Sequence, residues 1–102
     1  MSYESIISGE LGLRQTQVLN TIKLLDDGAT VPFISRYRKE ATGNLDEVVV
    51  GNIADRYAKL KEIAARKETI IAQIEQQGKL TDELRNQIEE TWDSTRLEDL
   101  YQ

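Results

Sequence analysis

Histidine and cysteine are absent from this 102-residue sequence, and proline, phenylalanine and tryptophan occur once each. Without cysteine there is no disulfide framework and no thiolate metal site. Without histidine the commonest general base, the commonest zinc ligand and every Ser-His or Cys-His nucleophile pair drop out. No apolar run approaches the ~18 residues of a membrane-spanning helix, and no secretory signal opens the chain. Positive charge is also in short supply: 13 Lys and Arg stand against 18 Asp and Glu, a net charge of −5. A freestanding acidic domain is a poor nucleic-acid binder, because counterion release needs a positive surface. The expectation is a cytoplasmic, non-catalytic domain with no cofactor, no bound metal and no membrane partner.

What remains is the composition of a soluble helical protein, 39% hydrophobic and 30% charged. A chain of this size buries roughly 60–70% of its unfolded surface, enough for one modest core. The charge is uneven. Residues 30–53 are neutral, 54–74 carry a basic excess, and 75–102 hold eight acidic residues against three basic ones. Adjacent acids occur at Asp26-Asp27, Asp82-Glu83, Glu89-Glu90 and Glu98-Asp99. Helical neighbours point about 100° apart, so these pairs read as solvated surface rather than metal or acid–base sites. No glycine-rich phosphate loop is present.

The chain predicts only helices. Ser2 caps a first one carrying Ile6 and Ile7, and Leu11-Gly12-Leu13 reads as a turn. A second starts near Arg14 or Gln15, with Val18, Ile22 and Leu25 on its inner face. Gly28 follows as a left-handed cap. The two helices form a weak helix-turn-helix pattern, in which Arg14, Gln15, Gln17 and Asn20 would face a groove. Two packed helices with ordinary polar outer faces fit the same residues, and the acidity of the segment favours that second reading.

Val31 precedes Pro32 and is expected outside helical geometry. Pro32 then sits in the first turn of a short helix from Phe33 to about Lys39. Phe33, Ile34 and Tyr37 are its expected buried face, and Arg36 lies one turn before Glu40. Gly43 ends the segment. Asn44 caps the next helix, with Glu47 placed to close a capping box.

From 44 to 77 nothing breaks the pattern, a rod of roughly 50 Å at about 1.5 Å per residue. Val50, Ile53, Tyr57, Leu60, Ala64, Ile71 and Ile74 recur in steps of three and four, with Val49, Ile63 and Ile70 beside them. Lys67 interrupts the stripe and marks a weaker or solvent-reached point. Glu62 and Arg66 stand at the spacing of an exposed pair. Gly78 stops this helix. Thr81 caps another over about 82–92 that folds back as an antiparallel hairpin, with Trp92 as the plug of the contact. Ser94 caps a last short helix bearing Leu97, Leu100 and Tyr101. The architecture is a single all-α domain over 1–102, with a small helical unit at 1–43 and the long helix plus hairpin at 44–102.

Arg36, Arg38 and Lys39 form the densest positive cluster. They can hold a phosphate backbone, with Tyr37 for stacking and Arg14 as an outlying contact. They can equally brace acidic groups of the same protein. The acid-rich C-terminal end supplies such partners, so the structural reading is preferred.

The run Val31-Pro32-Phe33-Ile34-Ser35-Arg36-Tyr37-Arg38-Lys39-Glu40-Ala41-Thr42-Gly43, followed by Leu45-Asp46-Glu47, resembles the N-terminal signature of the Tex family of bacterial transcription accessory proteins. Leu97-Glu98-Asp99-Leu100-Tyr101 resembles a second family motif, after which family members continue where this sequence stops at Gln102. The resemblance implies a helical N-terminal module of a longer protein. It also implies later RuvC-like, helix-hairpin-helix and OB-fold domains, the last being the family's chief RNA-binding element. The partners so implied are those remaining domains, the transcription machinery, and RNA or DNA held mainly through domains outside this chain. No catalytic residue carries over. Within the chain the residues singled out are Gly28, Pro32, Phe33, Tyr37, Asn44, Gly78 and Trp92 as structural positions. Arg14, Arg36, Arg38 and Lys39 are the candidate nucleic-acid contacts.

Overall fold

A computed structural model describes residues 2–101; Met1 and Gln102, where the sequence stops, lie outside the described residues. Seven helices and no strand occur among them: α1 (Tyr3–Leu11), α2 (Gln15–Asp26), α3 (Val31–Tyr37), α4 (Lys39–Thr42), α5 (Glu47–Gln76), α6 (Asp82–Glu90) and α7 (Ser94–Tyr101). The chain divides into two compact units, Met1–Ala58 and Lys59–Gln102. The division falls inside α5.

Short polar side chains begin most of these helices by accepting a bond from an otherwise unpaired backbone N–H. Ser2 Oγ takes the N–H of Ser5, Thr30 Oγ1 that of Phe33, and Thr81 Oγ1 that of Leu84. Asp93 Oδ1, not Ser94, caps α7 through the N–H of Arg96 at 3.1 Å. Val31 opens α3 although Pro32 follows it. Pro32 lies within the first turn, where its missing N–H is one of the unpaired donors in any case, so Thr30 fixes the entry and the helix starts earlier than expected.

The expectation for Asn44 fails. Its φ of +69° is left-handed, and its N–H bonds to Lys39 O at 2.9 Å. It therefore closes α4 together with Gly43, whose φ is +71°. Asp46 starts α5 instead, accepting from Val49 N at 2.9 Å. Leu45 and Val50, both buried, occupy the two positions of a hydrophobic staple around that cap. The long helix thus runs over 47–76 rather than 44–77. Gly78, with φ +72°, ends it as expected.

In the first unit Ile7, Val18, Ile22, Ile34, Leu45, Val50 and Ile53 are buried. Each such side chain contributes roughly 1.5–3 kcal/mol of transfer free energy. Two polar ties reach α5 from the helices around it. Arg56 Nη2 donates to Glu10 Oε1 at 2.9 Å, and Tyr57 Oη donates to Asp26 at 2.8 Å. Burial first, and the Asp26 carboxylate second, push the Tyr57 phenol up to about 12.

In the second unit Ile63, Ile70, Ile74, Ile88 and Leu97 form the core, with Leu84, Trp92, Leu100 and Tyr101 packed against it. Lys67 is not reached by solvent. It is 6% exposed, its Nζ donates to Glu89 O at 2.7 Å, and it lies 3.3 Å from the centre of the Trp92 ring. The last carbonyls of α6 lack helical partners, and an ammonium suits that negative helix end. Desolvation holds the Lys67 ammonium below the usual lysine range, opposed by Glu89. Arg66 likewise leaves Glu62 and forks onto Glu98 at 2.8 and 2.9 Å. A two-pronged pair is stronger than a single exposed contact one turn away. The Glu98 carboxyl is held below the ordinary carboxylate range chiefly by that hydrogen bond.

Candidate functional site

The signature stretch lies wholly in the first unit. α3 breaks at Arg38, whose φ of −125° and ψ of 39° leave the helical region, and α4 resumes for a single turn. The break changes the expected pairing. Arg36 does not reach Glu40; Arg38 Nε does, at 2.7 Å. That hydrogen bond is the main cause holding the Glu40 carboxyl below its ordinary value.

The polar face of α2 is turned inward to the same place. Gln17 Oε1 accepts from Arg14 N at 3.2 Å, while Gln17 Nε2 donates to Thr42 O at 3.1 Å. Asn20 Nδ2 donates to Ala41 O at 2.9 Å. These two amides satisfy carbonyls at the end of α4 that a four-residue helix cannot pair for itself. Arg14 joins them: a Cβ at Gly43 would lie 2.8 Å from Gln17 Nε2 and 3.3 Å from Arg14 Nη2. The left-handed φ favours glycine at 43, and a larger residue there would also push the ends of the Gln17 and Arg14 side chains aside. Of the residues assigned to a groove-reading face, Gln17 and Asn20 are committed to bracing within the chain.

The predicted cationic cluster is thus only partly assembled. Arg36 and Lys39 come together, lining an open concavity of about 290 Å³ with Pro32, Ser35, Asp46 and Glu47. Arg38 and Arg14 do not line it. Among the described residues, Arg36 and Lys39 make no ion pair within 4.0 Å. The carboxylates of Asp46 and Glu47 on the same concavity make it mixed in sign, and Asp46 is fixed there by capping α5.

The expected buried face of α3 is also corrected. Ile34 is fully buried, but Phe33 is 45% and Tyr37 62% exposed. The inner position goes to Ser35, whose Oγ donates to Val31 O at 2.6 Å. A hydroxyl that satisfies itself on its own helix can be buried without another partner. Phe33 and Tyr37 contact each other instead, with ring centroids 5.4 Å apart and planes inclined at 50°. The sequence did carry a signal for this: Phe33, Arg36 and Tyr37 stand at i, i+3 and i+4, and an arginine in that stripe marks an outward face.

No group of three or more Asp or Glu side chains among the described residues is placed to share a metal ion. No helix among them is long and apolar enough to cross a membrane.

The family profile described as "Tex-like protein N-terminal domain" matches residues 1–75. "Transcriptional accessory protein Tex" of Neisseria gonorrhoeae is 52% identical over 101 residues, which is 99% of this chain and 13% of that protein. "Protein YhgF" of Escherichia coli (strain K12) is 48% identical over 100 residues, 98% of this chain and 13% of its own length. A more distant human relative, "S1 RNA-binding domain-containing protein 1", is 30% identical over 77 residues, 76% of this chain and 8% of that one. The bacterial matches extend past the profile, through α6 and α7, and the chain spans about an eighth of those relatives' length. With its signature stretch folded as a braced junction, the chain belongs to the Tex family, as an N-terminal Tex-like domain.

Proposed function

We propose that this domain is a non-catalytic, cytoplasmic scaffold of a transcription accessory protein, a helical platform on which the rest of a longer polypeptide is organised. The observation that carries this reading is the use made of the signature's polar groups. Gln17 and Asn20 hold the end of α4, and Arg38 is spent on Glu40. The two amides that read as ligand contacts in the sequence serve as joints, and Arg38 is held by a local carboxylate. The transcription context follows from the name of the Neisseria gonorrhoeae relative, which describes that protein.

A second reading has one observation behind it. Arg36 and Lys39 remain exposed, and α3 also carries two exposed aromatic rings, the kinds of group that a single-strand contact uses. Asp46 and Glu47 on the same concavity oppose it, because they repel a phosphate backbone. A low-salt fluorescence titration with single- and double-stranded RNA and DNA separates the two. The scaffold reading expects no saturable binding. Salt-sensitive binding that Arg36→Ala and Lys39→Ala each weaken would transfer the function to direct nucleic-acid contact.

A further inference from the structure

α3 is apolar on two sides. Its inner side buries Ile34 completely, and another side carries Phe33 and Tyr37, 45% and 62% exposed, with Arg36 to one side of them, three residues after Phe33. A helix that carries large apolar side chains beyond its buried stripe matches an element covered on a second side. Aromatic residues with arginine are the composition of an interface centre, where lysine and glutamate are depleted. The ring pair is also pre-arranged, its two members already in contact at 5.4 Å. Little side-chain freedom then remains to be lost when a partner covers them.

The chemistry of the partner follows from the charges. Arg36 and Lys39 lack ion-pair partners among the described residues, whereas their neighbour Arg38 has Glu40. The concavity they line also holds Asp46 and Glu47. A phosphate backbone is charged at every nucleotide and would meet those carboxylates as well as the cations. A protein segment can set one carboxylate against Arg36 and Lys39 and lay an apolar side chain on the rings, leaving Asp46 and Glu47 in water.

We propose that Phe33, Arg36 and Tyr37, with Lys39, form the docking face for a segment of the longer polypeptide, one that presents an apolar side chain flanked by a carboxylate. The inference rests on the scaffold reading. It is supported by this complementarity and by the relatives' length, of which the chain covers 13%.

The test leaves the rings in place. Hydroxyl-radical oxidation of Phe33 and Tyr37, read by peptide mass spectrometry, is followed in the 102-residue chain and in the full-length protein. Each rate is normalised to the same protein in urea, and circular dichroism confirms the helical content of every protein used. The expected result is oxidation of both rings at least about tenfold slower in the full-length protein, the mark of a covered site. That protection persists after nuclease treatment and in high salt, and falls when Arg36→Glu is added. Equal oxidation in both proteins would overturn the proposal. So would protection that arises only on adding RNA, which would give the face to nucleic acid. If the separately produced remainder of the protein binds this chain while both rings stay open, the face is wrong and the scaffold reading stands. If the remainder does not bind, both fall.

Discussion

Lys67 shows how far one side chain can depart from its expected place. In the sequence it is a polar interruption of an apolar stripe, and long cations usually lead their heads to water. Here the head is buried, bonded to Glu89 O at 2.7 Å and set against Trp92. The deciding partners lie some 22 to 25 residues along the chain, in α6 and just after it, and no local pattern announces them. Lys67→Met keeps most of the volume but leaves a helix-end carbonyl without its donor. The expected cost is about 1–2 kcal/mol, read by urea unfolding with fluorescence of the sole tryptophan, Trp92. An unchanged midpoint would mean that the contact contributes nothing. Gly43 is the contrasting case, legible as a helix stop from its type alone, while the approach of Gln17 and Arg14 to it was not.

At the scale of the element, helix order and type were legible because the apolar period and the Gly stops are local. Gly12, Gly28, Gly43 and Gly78 all adopt positive φ. The start of α5 was not legible, because two cap signals compete within three residues. Asn44 three residues before Glu47 has the form of a capping box, and Asp46 three before Val49 has the form of a simple cap. The Gly43-Asn44 left-handed pair that closes α4 removes the first choice. Asp46→Ala should therefore destabilise the domain by about 1 kcal/mol. Asn44→Gly should be neutral or slightly stabilising, since only glycine takes that φ without strain. Thermal unfolding of the two variants checks this, and the opposite ranking would restore Asn44 as the cap. The outward face of α3 was misread for a related reason. Phe33 and Tyr37 are the largest apolar groups of that helix, and size alone suggested burial. The small Ser35 took the inner position by bonding its own helix.

For the molecule as a whole, the polar ties give a pH signature. Tyr57 ordinarily titrates near 10.0 and is pushed up to about 12. A raised folded value means that the neutral phenol is favoured in the folded state. Its contribution is complete below pH 10 and is lost as pH rises toward 12. Tyr57→Phe should therefore lose stability at neutral pH, by about 1 kcal/mol for one hydrogen bond. The gap to the parent should close across pH 10–12. Lys67 titrates in both proteins and cancels in the difference. A gap that stays constant with pH would show that folding does not raise the Tyr57 phenol.

The central claim is that this domain acts by carrying the rest of its polypeptide. The family was legible from the signature run, whereas the bonds from Gln17 and Asn20 to the end of α4 required the fold. Isothermal titration of the 102-residue chain with the separately produced remainder of the full-length protein, free of nucleic acid, tests the claim most directly. Saturable one-to-one binding that survives nuclease treatment is predicted. No heat and no co-migration at any accessible concentration would contradict it.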